Sequence, residues 1–196
     1  MPDSTSIDDL KATLRRDALA RREALPSEVR AAAAQAIAAR PFPVALPPGT
    51  VVSGFMPVKS EINPLPLLRT LADQGARLAL PVVASRGKPL LMRAYRWGEP
   101  LAAGIWGIRE PKPDAAELEP DILVVPLLAF DRRGHRIGYG AGYFDLTIAA
   151  LRAKKRILAA GIGFAAQEIA QVPATTRDAR LDLVLTEREV IDLRAS

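Results

Sequence analysis

The chain reads as an α/β protein: a single Rossmann-like three-layer domain with a mostly parallel central sheet flanked by helices, preceded by an N-terminal helical pair. Three observations predict this. The apolar run Ile122-Leu-Val-Val-Pro-Leu-Leu-Ala-Phe130 is what a strand buried on both faces requires. Strand-like and helix-like segments alternate from Thr50 onward, the order that builds a parallel sheet. Finally, 196 residues with 49% hydrophobic content suffice for one core, but two full domains are not expected. The whole of 1–196 is expected to be one domain, with helices over 1–40 and the sheet core over 50–196.

Ile7, Leu10, Leu14 and Ala18 recur at helical spacing behind Ser6, a suitable N-cap, which predicts an amphipathic helix over 7–24. Pro26 and Ser27 open a second, alanine-rich helix to about Arg40, and four prolines in 41–49 end it. A strand over 51–56, a helix over 64–74 and a strand over 77–83 follow. Residues 90–96 read as a strand or hairpin arm, and 97–120 as an irregular surface loop near a site. The chain re-enters the sheet at Ile122, makes a glycine-rich loop, forms a helix over 143–153, and adds strands over 157–162 and 183–185. Five parallel strands flanked by helices are expected.

Composition removes many chemistries. With no cysteine there is no disulfide, thiolate nucleophile or cysteine zinc site, and the single histidine, His135, excludes a multi-histidine metal centre. The net charge of +5, from 27 basic against 22 acidic residues, favours anionic partners. The basic residues are dispersed among acids and aromatic content is only 5%, so no nucleic-acid partner is expected. The longest apolar run falls short of the ~20 residues of a spanning helix. The N-terminus lacks the order of a signal peptide. A cytoplasmic monomer acting on a small molecule, with no membrane partner, is the expectation.

The most informative segment follows the run ending at Phe130. Gly138, Gly140 and Gly142 lie between a strand and a helix, a layout in which backbone N–H groups and a helix N-terminus converge on an anion, with Arg136 adding a full charge. The spacing is neither the Walker pattern nor the dinucleotide fingerprint. Asp145, in the first helical turn, suits either Mg²⁺ or the helix dipole. Lys11 and Arg15 share one helix face and either grip phosphates or lie in solvent. Glu61, just past a strand end, is either an acceptor for a polar ligand or a helix-start acid. Asp178 and Asp182 precede a strand from which they could reach the same cleft. His135 reads as a loop residue rather than a general base. Trp106, between Gly104 and Gly107, has little to pack against and is expected to be exposed.

Together these segments resemble the 5-formyltetrahydrofolate cyclo-ligase family, also called methenyltetrahydrofolate synthetase, over nearly the whole chain. The resemblance is carried by Lys11-Ala-Thr-Leu-Arg15, Glu61-Ile62, Trp106-Gly-Ile-Arg-Glu-Pro111, Pro126-Leu-Leu-Ala-Phe-Asp131, Gly134-His-Arg-Ile-Gly138-Tyr-Gly-Ala-Gly-Tyr-Phe-Asp145 and Asp182-Leu-Val-Leu-Thr-Glu187. It implies ATP- and Mg²⁺-dependent cyclisation of 5-formyltetrahydrofolate, with or without a polyglutamate tail, to 5,10-methenyltetrahydrofolate, releasing ADP and phosphate. The formyl oxygen would attack the γ-phosphate, and N10 would then attack the resulting imidate-like carbon as phosphate leaves.

By the same resemblance Lys11, Ala12, Thr13, Leu14 and Arg15, with Arg136, Ile137, Gly138, Tyr139, Gly140, Ala141, Gly142, Tyr143 and Phe144, correspond to ATP contacts. Met56, Glu61, Trp106 and residues Tyr139 to Tyr143 correspond to folate contacts, Arg136 and Tyr143 to catalytic groups, and Asp145 with Asp182 to the Mg²⁺ site. Ala141, Phe144 and Arg177 depart from residues common in the family at those places. The alternative is a non-catalytic folate- or nucleotide-binding protein on the same fold. A sugar-phosphate isomerase or acyl-CoA transferase relying on Glu61 stands behind it.

Overall fold

The structure is a computed structural model and describes residues 6–194. The first five and last two residues of the expected domain lie outside that range. In chain order the elements are α1 (Ile7–Glu23), α2 (Ser27–Ala39), β1 (Val51–Ser53), α3 (Leu65–Asp73), β2 (Arg77–Val82), β3 (Leu91–Tyr95), β4 (Ala102–Ala103), β5 (Arg109–Glu110), β6 (Ile122–Pro126), β7 (Ala129–Phe130), β8 (Arg136–Ile137), α4 (Tyr143–Arg152), β9 (Leu158–Ile162), β10 (Leu183–Leu185) and β11 (Val190–Asp192).

Seven strands form the central sheet in the order β11-β10-β9-β6-β1-β2-β3. The five inner strands are parallel, as expected, while β3 and β11 close the two edges antiparallel. Helices α2 and α3 bury Ala34, Ile37, Leu68 and Leu71 against Val52, Leu80 and Val124 on one face. On the other, α4 buries Ile148 and Leu151 against Leu123, Val125 and Ala159. This is the anticipated three-layer arrangement.

The run 122–130 is not one strand. Pro126 is the last residue paired to β9, and the chain then forms a small antiparallel hairpin, β7 with β8. Proline supplies no N–H to continue the ladder. The buried Gln167 amide stabilises the break, donating to the carbonyls of Leu127 (2.8 Å) and Leu128 (3.0 Å). Asp131, fully buried, organises the hairpin turn by accepting from the N–H groups of Arg133 (2.9 Å) and His135 (3.1 Å) and ties it to Val172 N (2.9 Å).

The N-terminal helical pair divides its labour. Helix α2 joins the α3 layer, whereas α1 lies on the β7–β8 hairpin, packing Leu14, Ala18 and Leu19 around Leu128, Ala129 and Ile137. Ser6 caps α1 as expected, accepting from Asp9 N at 3.1 Å. Its buried stripe differs from the apolar one expected: Ile7 and Leu10 are exposed, and Lys11, Ala18 and Arg22 are buried. No helix of the described residues is long and apolar enough to cross a membrane.

Candidate active site

The five parallel strands all end on one side, where an open α/β sheet places its ligands. A cleft of about 700 Å³ lies there, bounded by Met56 after β1, Pro81 at the end of β2, Pro126 at the end of β6, α1, and the loop from Gly138 to Gly142. The β4–β5 hairpin closes a further side. Its turn holds Trp106 and Gly107 at φ 59° and 73°, the left-handed pair that a tight two-residue turn needs. Trp106 is 70% exposed and its ring centroid lies 6.2 Å from that of Tyr143. The stretch expected to be irregular thus contains a short arm that carries an aromatic into the cleft.

One half of the cleft is cationic. Lys11, Arg15, Arg136 and Arg177 line it. Arg15 Nε donates to the carbonyl of Gly138 at 3.0 Å. Gly140 stands at φ 99°, and a Cβ there would come within 3.3 Å of the Arg15 guanidinium, so glycine lets loop and helix approach. Gly142, left-handed at φ 70°, is the N-cap of α4 and contributes no capping side chain, leaving the first-turn N–H groups to a ligand. Arg136 is buried, paired with Asp145 Oδ1 at 3.0 Å and donating to Ala179 O at 3.0 Å. Burial pushes its pKa down, against the charges of Asp145 and Asp178. Lys11 Nζ binds Asp178 at 2.6 Å.

The other half is more apolar and holds the carboxylate of Glu61, with Glu110 on the hairpin arm. Met56, Glu61, Trp106, Tyr139 and Tyr143 line it. Glu61 accepts from Val58 N at 2.7 Å. Burial pushes its carboxyl above the ordinary value, against the Val58 N–H, the Arg22 charge and the Tyr139 hydroxyl, which pull it down. An acid so placed suits a ligand that presents N–H donors.

Most of the expected site residues therefore border one cleft: Lys11, Arg15, Met56, Glu61, Trp106 and the whole of Arg136 to Asp145. Ala12 and Thr13 are exposed outside it, and Leu14 packs into the hairpin cluster beneath. Asp182 is not brought to the cleft. It stands just before β10, at the opposite end of the sheet, where Oδ2 binds Arg152 (2.8 Å) and the Ala159 N–H (2.7 Å). Arg152 ends α4 and Asp145 begins it, which separates the two acids by roughly 10 Å of helix rise. Asp178 lines the cleft with Asp145, as do Asp8, Glu61 and Glu110. Among the described residues no three Asp, Glu or His side chains cluster as a metal cage.

The reading of the sequence missed Arg22, which is 1% exposed and bonded to Tyr139. A signal was present: Lys11, Arg15, Ala18 and Arg22 follow one another at helical spacing, so the stripe begun by the first two basic residues continues to the third.

The family model described as the 5-formyltetrahydrofolate cyclo-ligase family matches residues 7–187. A 5-formyltetrahydrofolate cyclo-ligase of Mycolicibacterium smegmatis is 35% identical over 193 residues, 94% of this chain and 97% of that protein. The Escherichia coli K12 protein of the same name is 31% identical over 147 residues, 71% of this chain and 79% of its own. The solution structure of Aquifex aeolicus 5,10-methenyltetrahydrofolate synthetase superposes with a TM-score of 0.77 at 27% identity, covering 94% of this chain and 93% of the other. A Mycoplasma pneumoniae synthetase shares the fold, with a TM-score of 0.69 at 21% identity over 90% of this chain and 98% of its own.

Proposed function

Since the chain belongs to the 5-formyltetrahydrofolate cyclo-ligase family, we propose that the cleft at the carboxyl ends of its parallel strands carries out that reaction, the ATP-driven closure of 5-formyltetrahydrofolate to 5,10-methenyltetrahydrofolate. One observation carries the assignment of the site. A single cleft joins a cationic half built on a glycine loop and a helix N-terminus to an apolar half holding Glu61. That division matches a triphosphate meeting a folate.

The chemistry asks chiefly for positioning and charge neutralisation. Lys11, Arg15 and the N–H groups opening α4 hold the phosphates. Arg136, fixed by Asp145 and Ala179 O, faces the charge that develops as the formyl oxygen attacks the γ-phosphorus. Glu61 and Met56 hold the folate, with Trp106 and Tyr143 bracketing it so that N10 can close on the activated formyl carbon as phosphate leaves. Proton transfers need no cysteine or histidine, in keeping with a chain that has only His135, outside the cleft.

The residues present fit Mg²⁺ bound through carboxylates and phosphate oxygens, the usual chemistry of that ion beside a nucleotide. Asp145 and Asp178, both at the cationic half, are the acids that would hold it, and the ion would offset phosphate charge there. Asp182, at the opposite end of the sheet from the cleft, is left out of this assignment. The chain is taken to work as a cytoplasmic monomer on a free or polyglutamylated folate.

The test is absorbance at the methenyl-folate band, with protein, 5-formyltetrahydrofolate and Mg²⁺, with and without ATP. Growth of the band only with ATP is expected. A flat trace from folded protein that still binds the folate would replace the enzyme with a binding protein.

A further inference from the structure

Arg22 does not line the cleft, yet it connects two of its walls. Its guanidinium, in the last turn of α1, is 1% exposed. Nε donates to the Ser60 hydroxyl at 3.1 Å, in the loop that follows β1 and carries Glu61. Nη2 donates to the Tyr139 hydroxyl at 2.6 Å, in the glycine loop, and the guanidinium carbon lies 5.6 Å from the Tyr139 ring centroid. Nη1 is buried with no hydrogen-bond partner among the described residues.

The direction of these bonds follows from the donor inventory. A guanidinium only donates, so the Tyr139 oxygen accepts from Arg22 and its own hydrogen must go elsewhere. The Glu61 carboxylate is the acid beside that hydroxyl: both line the cleft and each shifts the other's pKa. The Val58 N–H takes one Glu61 lone pair, at 2.7 Å. The remaining acceptor capacity of Glu61 is left for a ligand. A neutral partner in place of Arg22 would let the tyrosine hydroxyl rotate and donate to whatever is nearest, releasing Glu61 from its alignment.

The geometry points to Arg22 as a positioning residue that orients the Tyr139 hydroxyl and, through it, holds Glu61 as an acceptor for the folate. This rests on the folate reading of the site given above. An arginine held only to stabilise the fold would need neither the tyrosine of a ligand loop nor an unspent buried donor. Here one planar fork spans both loops, and lysine, with a single ammonium, cannot bridge Ser60 and Tyr139 in the same way.

The test compares Arg22→Lys, Tyr139→Phe and the double variant with the unaltered chain, by calorimetric binding of 5-formyltetrahydrofolate and of ATP separately, alongside melting temperature. Tyr139 is 50% exposed, so its phenylalanine variant keeps the packing and provides a folded comparison should Arg22→Lys melt early. Each single variant is expected to weaken folate binding about tenfold, the loss of one charge-assisted link, with ATP binding changed less than twofold. The double variant should be no weaker than the worse single one, because both break one chain of bonds. Lower melting temperature with unchanged folate affinity, or multiplying effects in the double variant, would overturn the inference. If the unaltered chain fails to bind the folate at all, the functional reading falls and takes this inference with it. Normal binding by Arg22→Lys defeats the inference alone.

Discussion

Lys11 Nζ lies 2.6 Å from Asp178 Oδ2, a bond that joins the first helix to the loop before β10 across the mouth of the cleft. Asp178 also accepts from the N–H (2.6 Å) and hydroxyl (2.8 Å) of Thr175. Burial pushes its carboxyl up, but Lys11 and Thr175 outweigh that and hold it below the usual carboxylate value. It therefore stays ionised at neutral pH, as a lysine anchor and a magnesium ligand both require. Asp178→Asn should lower turnover roughly 100-fold, the scale seen when one fixed electrostatic partner is lost, and weaken ATP binding. Steady-state kinetics with Mg²⁺ varied would show it, and unchanged kinetics would remove Asp178 from the site.

Asp145 and Asp182 should separate cleanly. Asp145→Asn, at the cleft beside Arg136, is expected to abolish most Mg²⁺-dependent turnover and also to lower the melting temperature, because it leaves the buried Arg136 without its carboxylate. Asp182→Asn weakens the tie between Arg152 and the start of β10. It should cost about 1 kcal/mol of stability and leave kcat near normal. Measuring kcat and Tm for both decides the matter, and a kcat loss in Asp182→Asn would return that residue to the site.

Arg136→Lys keeps a charge but loses the fork that grips Asp145 and Ala179 O together. A fall in kcat of about 100-fold is expected, with ATP binding altered less. Single-turnover kinetics separates the two. A KM effect with kcat preserved would make Arg136 a binding residue only.

Asp131 carries stability rather than catalysis. Burial pushes its carboxyl up, while the Val172 N–H, the Arg133 guanidinium and the His135 and Arg133 N–H groups hold it below the usual value. Its contribution is therefore complete above the ordinary aspartate pKa and is lost as pH falls through the lowered one. Asp131→Asn should cost about 2 kcal/mol at neutral pH, or roughly 4–8 °C in Tm. It should also flatten the acid side of the stability profile. A melting curve that declines with acid as steeply as before would assign that decline to other carboxylates.

The parallel strands were legible because a strand buried on both faces leaves an unbroken apolar run. The antiparallel edge β11 was not, since Val190-Ile-Asp192 is a partly exposed stretch ending in an acid rather than an unbroken apolar run. The break after Pro126 was hidden because Leu127 and Leu128 stay as apolar as the strand, and the Gln167 amide that satisfies their carbonyls lies forty residues downstream. For the site, the glycine loop, Glu61 and Trp106 were visible as residues without a packing role. The face of α1 was misjudged because periodicity ranks residues by hydrophobicity, and here the helix turns basic residues inward to meet partners that periodicity cannot see. Asp182 was carried over from the family resemblance, which gives no position in space, and it stands at the other end of the sheet, bound to Arg152.

The inward basic face of α1 also bears on the order of events during folding. Lys11, Arg15 and Arg22 share one helix, yet their partners Gly138, Tyr139 and Asp178 lie up to 167 positions further along the chain. These contacts close loops of more than a hundred residues, the kind of non-local step that comes late in folding. On the proposed reading of the site, the phosphate-holding half of the cleft is therefore assembled only when α1 docks against the glycine loop.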